Sequence, residues 1–274
     1  MPEGDTIYRT ARTLRAALAG QPVEAVRTAV PGIVALRPDR LVGQTVESVD
    51  SRGKHLLIAF SPSGLVLHTH MRMTGSWHLY RPGDPWRRPA GVARFVLSTP
   101  AWVAVCFAAP VVELLSSSQL AAHPALSRLG PDALGSDPDL TEARRRLDER
   151  AASTIGEALL DQAVLAGVGN VYKCEVLFIH RVDPWAKVAD VPGPTRDALL
   201  ATAQQLLARN VAPGAFPARV TTAVEHPARG QRLHVYGKAG RPCPRCGTRI
   251  SADRQGDLAR ITFWCGHCQP AEEH

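Results

Sequence analysis

The sequence predicts an α+β, multidomain fold in three parts, and three observations carry that reading. Residues 45–115 hold short apolar runs rich in β-branched residues and separated by turn signals, which suits a β-sandwich or barrel of roughly 110 residues. After the Gly-, Pro- and Asp-rich stretch "SRLGPDALGSDPDL" at residues 127–140 the apolar spacing becomes helical. Four of the six cysteines then fall at or beyond position 243, in a segment that otherwise reads as two hairpins.

Taken in order, "DTIYRTARTLRAALAG" places Ile7, Ala11, Leu14 and Leu18 on one helical face, with Asp5 or Thr6 as N-cap and Gly20 as the stop. The strands are expected in "TVESVDSRGKHLLIAF", "GLVLHTHMRMTGSWHLY", "ARFVLSTP" and "AWVAVCFAAPVVELL". Helices follow in "TEARRRLDER", "STIGEALLDQ", "NVYKCEVLFIHRV" and "TRDALLATAQQLLARNVA", each with a cap and an apolar face. Residues 212–232 lack periodicity and read as an exposed loop. The expected domains are therefore 1–130, 131–230 and 231–274.

Composition narrows the partners. The formal charge of +7 favours an acidic partner, nucleic acid ahead of an anionic membrane surface. Of 32 basic residues only four are lysines, Lys54, Lys173, Lys187 and Lys238, so each merits a reason. No stretch approaches the roughly 20 apolar residues that span a bilayer, and no cationic segment leads into an apolar one near residue 1. A soluble, cytoplasmic protein is expected, with no membrane partner.

Cys243-x2-Cys246 and Cys265-x2-Cys268 are the most specific motif. Each CxxC turn aims two thiolates at one point, and the pair makes a closed tetrahedral site for one structural Zn2+, with a redox dithiol or two disulfides as the alternatives. Gly167-Val168-Gly169 precedes a helical pattern opening at Asn170. Glycines permit close backbone approach and a helix N-terminus offers free N–H groups, so a phosphate fits there; an interhelical packing turn accounts for the same residues. Pro2 becomes a secondary α-amine if Met1 is trimmed. Such an amine titrates near ~7.7–8.0 and so supplies an unprotonated nucleophile at neutral pH, with Glu3 beside it to move protons. Lys54 sits where a turn at Gly53 enters a strand, and Arg260 at or beside a hairpin tip; each also reads as an ordinary surface cation.

Together "MPEG", "RGKHL", "LLDQAVLAGVGNVY" and "CxxC…FWCGHC" resemble, in order and spacing, the formamidopyrimidine-DNA glycosylase and endonuclease VIII family over essentially the whole chain. That resemblance implies an N-terminal β-sandwich with a flanking helix, a helix-two-turn-helix domain and a zinc finger. It further implies a monomeric bacterial base-excision enzyme that works at the nucleoid on double-stranded DNA holding oxidised bases or abasic sites. By the same resemblance Pro2 attacks the sugar C1′, Glu3 serves the acid and base steps, Lys54 contacts a phosphate near the lesion, and Asn170 and Arg260 clamp neighbouring phosphates while the target nucleotide flips out. Arg72 and Met73, in "HMRMTGSW", would fill the emptied stack, although Met73 suits a core equally well. "CFAAPVVELL" carries no Arg-x-Phe wedge, so the chain resembles the endonuclease VIII side, which implies oxidised pyrimidines as substrates, with a purine-directed glycosylase of the same family as the alternative. Thr6 stands where many members have a second glutamate. A DNA-binding protein without catalysis and an RNA-binding zinc ribbon are the rival readings, and both leave Pro2 and Glu3 idle.

Overall fold

The stripe Ile7, Ala11, Leu14 and Leu18 folds as helix α1, Gly4–Leu18, with all four side chains buried. In this computed structural model, which describes residues 2–215, 218–222 and 232–271, the N-cap is Glu3 rather than Asp5 or Thr6. The Glu3 carbonyl accepts the amides of Thr6 at 2.9 Å and Ile7 at 3.1 Å, so backbone geometry starts the helix ahead of the residues with the better side-chain caps. Asp5 lies inside the first turn, where its carboxylate takes the Thr6 amide at 2.7 Å and suits the positive helix end. Gly20, at φ +77°, turns the chain away as its place after the last helical residue predicts.

The chain divides into two compact units, Met1–Ser127 and Arg128–His274. In the first, α1 is followed by β1 (Ala25–Thr28), α2 (Pro31–Val34), β2 (Thr45–Arg52), β3 (His55–Ser61), β4 (Leu65–His70), β5 (Ser76–Tyr80), β6 (Ala93–Ser98), β7 (Val103–Phe107), β8 (Val111–Leu115), α3 (Ser117–Ala121) and α4 (Pro124–Ser127). The strands form two four-stranded antiparallel sheets, ordered β2-β3-β4-β8 and β1-β6-β7-β5, which resolves the sandwich-or-barrel choice as a sandwich. One core joins them: Leu56, Ile58, Phe60 and Leu67 from the first sheet cluster with Phe95, Leu97, Ala104 and Cys106 from the second and with the apolar face of α1. Cys106 is a core residue whose thiol burial pushes well above its ordinary range.

The second unit holds α5 (Leu140–Asp148), α6 (Ile155–Ala158), α7 (Asn170–Ile179), α8 (Gly193–Val211), β9 (Ser251–Gln255) and β10 (Arg260–Trp264). Helix α7 falls within the stretch the periodicity marks, and α5 and α8 begin one and two residues ahead of theirs. The fourth, in "STIGEALLDQ", is shorter than expected, since α6 is one turn capped by Thr154. Helix α7 buries nearly its whole circumference, Asn170 through Phe178, which explains its weak amphipathic pattern. Among the described residues the C-terminal part has one strand hairpin, β9–β10, where two were expected. The other candidate is a tight cysteine turn closed by the isolated bridge Pro242↔Arg249, because converging two thiolates needs a turn rather than a ladder. The exposed-loop expectation for 212–232 falls in good part on residues 216–217 and 223–231, outside the described residues. Among the described residues no helix is long and apolar enough to cross a membrane.

Phe60 is wholly buried in the sandwich core. Phe60→Ala should cost about 3–5 kcal/mol through lost burial and the cavity left behind, read as an earlier urea transition of the first unit.

Candidate functional site

The start of the chain is held by packing. Glu3, Gly4 and Asp5 are buried, Glu3 to 0% exposure, and Pro2 is half-buried one residue ahead of the helix cap. Pro2 and Glu3 thus precede a helix whose apolar face is locked into the core.

Lys54 lies in the two-residue turn between β2 and β3, whose register closes on Arg52↔His55. Gly53 there has φ +57°, a left-handed conformation that favours glycine and suits a tight hairpin. His55 pairs in turn with His70, the last residue of β4, and Arg72 and Met73 follow after Met71. The register therefore brings Lys54 and the Arg72–Met73 turn to the same end of neighbouring strands. Arg72 has φ +44° and its amide donates to His70 Nδ1 at 3.1 Å. Gly75 closes the turn with its amide on the Met71 carbonyl at 2.8 Å, and a Cβ there would lie 2.8 Å from Met71 Cα, so glycine is required. Met71 is the core methionine; Met73 is 55% exposed, which removes its core reading.

Behind this end of the sheet lies a group the sequence analysis missed. On the face opposite the core, His55 Nδ1 meets His68 Nε2 at 2.8 Å, and His68 Nδ1 and His123 Nε2 meet Glu113 Oε2 at 2.8 and 3.1 Å. Burial drives His55 down to about 3 and, with the positive charge of Lys54, His70 down to about 4. His68 is lowered by burial too, against the opposing pull of Glu113. The available signal was the alternation in "LHTHM", which sends His68 and His70 to one face.

In the second unit Gly167 has φ +104° and Gly169 is the N-cap of α7, so Asn170 is the first helical residue, as the glycine turn predicts. Asn170 Nδ2 donates to the Ile261 carbonyl at 2.7 Å, while its buried Oδ1 has no hydrogen-bond partner. Ile261 follows Arg260, the first residue of β10, so the two residues proposed from sequence come to one locality. One turn on, buried Lys173 donates to Thr262 Oγ1 at 2.6 Å and Gln255 Oε1 at 3.3 Å, bonds that sequence reasoning did not foresee. Glu175 accepts the amides of His234, Val235 and Tyr236 at 2.6, 2.9 and 2.8 Å and the Thr221 hydroxyl, fixing the segment that leads to the first cysteine turn.

The four cysteine sulfurs all lie within 4.8 Å of one another. Cys243 and Cys268 Sγ are 3.9 Å apart and Cys246 and Cys265 Sγ 3.5 Å. Both distances far exceed a disulfide near ~2.05 Å and suit sulfurs about 3.8 Å apart around one tetrahedral ion at ~2.3 Å. Four thiolates with no other donor leave no open position. Cys174 and Phe178 of α7 pack into the same small core as Cys243, Cys265 and Cys268, so the helix supports the finger directly.

A sandwich led by a buried helix start, and a helical unit whose glycine turn docks on a four-cysteine hairpin, together define a helix-two-turn-helix protein with a cysteine-held finger. Residues 1–109 match the formamidopyrimidine-DNA glycosylase N-terminal domain and residues 129–221 the H2TH domain of the same family. The chain is 42% identical to the probable endonuclease 8 2 of Streptomyces coelicolor, over 98% of this chain and 94% of that protein. It is 37% identical to the DNA-(apurinic or apyrimidinic site) lyase Nei2 of Mycolicibacterium smegmatis, over 99% and 100%. Its fold matches, with a TM-score of 0.82, 22% identity and coverage of 98% and 100%, a crystal structure of Lactococcus lactis formamidopyrimidine-DNA glycosylase bound to DNA with an abasic site. The chain belongs to the formamidopyrimidine-DNA glycosylase and endonuclease VIII family.

Glu175→Gln replaces one acceptor oxygen with a donor facing backbone amides. Hydrogen exchange should quicken at His234, Val235 and Tyr236 by ten-fold or more, with α1 protection unchanged.

Proposed function

We propose that this protein is a bifunctional DNA glycosylase and abasic-site lyase of base excision repair, acting on oxidised bases, pyrimidines foremost, in double-stranded DNA. The observation that carries the reading is the placement of Pro2 immediately ahead of a fully buried Glu3 at a locked helix start. It is supported by the names of the relatives, an endonuclease 8 and an abasic-site lyase.

With Met1 removed, the Pro2 nitrogen attacks C1′ of the damaged nucleotide, and the bond to the base breaks as the base takes a proton. The sugar ring then opens as O4′ takes a proton and leaves C1′, and the resulting C1′=N iminium is cationic at any pH and withdraws electrons from the sugar. Loss of the C2′ proton then expels the 3′ phosphate, a second elimination expels the 5′ phosphate, and a single-nucleotide gap remains. Glu3 moves protons in these steps. In the first unit, Lys54 holds a phosphate near the lesion, and Arg72 and Met73, both exposed on one turn, fill the vacated stack. In the second, Asn170 and Arg260 grip phosphates from the patch they share. The four cysteines would hold one Zn2+, which fixes the finger and supplies no chemistry to the reaction.

Reduction with borohydride in the presence of an abasic duplex should give a covalent protein–DNA adduct on a denaturing gel. Pro2→Gly, which keeps a terminal amine, should lower it several-fold. Glu3→Gln should slow base release by about 100-fold or more while cutting a preformed abasic site far better. Parent-like cutting of damaged duplex by both variants would remove the catalytic assignment. Side-by-side duplexes with thymine glycol and 8-oxoguanine test the lesion class, and faster release of 8-oxoguanine would reverse it.

A further inference from the structure

We infer that the outer face of the first sheet carries a second metal site, separate from the four cysteines, formed by His68 Nδ1, Glu113 and His123 Nε2 for a divalent transition ion of the zinc type. The three side chains come from β4, from β8 and from the residue just ahead of α4, and their ligating atoms all lie within 4.8 Å of one another. Two of the three pairs are already at 2.8 and 3.1 Å, each running to the same Glu113 oxygen. An ion bound at about 2.0–2.2 Å from N and O donors needs them roughly 3.3–3.5 Å apart, so modest side-chain adjustment suffices. The donor set is two imidazoles and one carboxylate, which suits zinc and its neighbours and is too nitrogen-rich for magnesium or calcium. His68 is 1% exposed and Glu113 41%, so the site has a rigid floor and an open side, where water or another small ligand can complete the coordination.

The partner of His68 strengthens the case. A ligating imidazole is oriented by what its other nitrogen bonds, and His68 Nε2 lies 2.8 Å from His55 Nδ1. In the metal-free network His68 Nδ1–H donates to Glu113, and His68 Nε2 accepts from His55 Nδ1–H. When the ion takes the His68 Nδ1 lone pair, the proton moves to Nε2 and donates to His55 Nδ1, whose own proton moves to Nε2. No proton is gained or lost, and the tautomers of both rings reverse together. His123 adapts in the same way: its buried Nδ1, which has no hydrogen-bond partner, is where the proton goes once Nε2 is ligated. Occupancy is thereby written into His55, the residue after Lys54.

The full, tag-free chain, cleared of weakly held ions by a mild chelator, is titrated with Co2+ by calorimetry and its bound metal counted after desalting. Two equivalents of metal per chain are expected, one retained by the cysteines and one taken up as Co2+ with the weak visible absorption of nitrogen and oxygen ligation. His123→Ala and Glu113→Gln, both at partly exposed positions, should each weaken the second equivalent ten-fold or more while keeping the first and the parental melting temperature. Nitrogen-15 spectra of the imidazoles, recorded with diamagnetic Zn2+ in place of Co2+, should show His68 and His55 reversing tautomers as the second equivalent is added. Uptake of a single equivalent, or a second that survives both variants unchanged, overturns the site. Neither outcome bears on the adduct assay above.

Discussion

Burial of the first turn of α1 is the constraint on which the chemistry proposed for Pro2 rests. A chain end ordinarily frays, because its few residues make too little contact to offset their conformational entropy. Here the stripe Ile7, Ala11, Leu14 and Leu18 seats a fifteen-residue helix in the sandwich core, and burial continues through Asp5, Gly4 and Glu3. Pro2 adds its own fixed φ. A nucleophile at this point is positioned by the whole sandwich, with orientation settled before any substrate arrives.

Helix α7 plays the equivalent part in the second unit. Within ten residues it supplies Asn170 to the Ile261 carbonyl, Lys173 to Thr262 and Gln255, Cys174 to the finger core and Glu175 to three consecutive amides. Such a helix cannot be amphipathic, since every face meets protein. Its charges are buried but matched, as the desolvation cost of lysine and glutamate requires. The finger therefore rests on the glycine-turn helix through polar bonds that tolerate little displacement, and Asn170 and Arg260 share one rigid support.

Much of this was legible in the residues. The α1 stripe, the strand runs and the glycine turn ahead of Asn170 follow from local periodicity and backbone preference, which act over a few residues. The paired CxxC turns follow from ligand geometry. What escaped depends on contacts distant in sequence. Glu175 and its amides are some sixty residues apart, and only the fold shows that this carboxylate is satisfied. His68, Glu113 and His123 are ordinary polar residues until β4 and β8 pair. The N-cap of α1 was misplaced because Asp5 and Thr6 are good caps locally, whereas the buried chain start makes Glu3 the boundary. The length of α6 was overestimated because beyond it a side chain takes an amide that a longer helix would use, the Ala163 N–H donating to Asp161 Oδ1 at 2.8 Å.

The central claim is that the nitrogen of Pro2 forms the bond to deoxyribose. Protease digestion of the borohydride-reduced complex, with peptide mass spectrometry, tests it most directly. The sugar remnant is expected on the peptide that begins at Pro2, with Met1 absent. A remnant on the peptide containing Lys54, or active protein that still retains Met1, would contradict it.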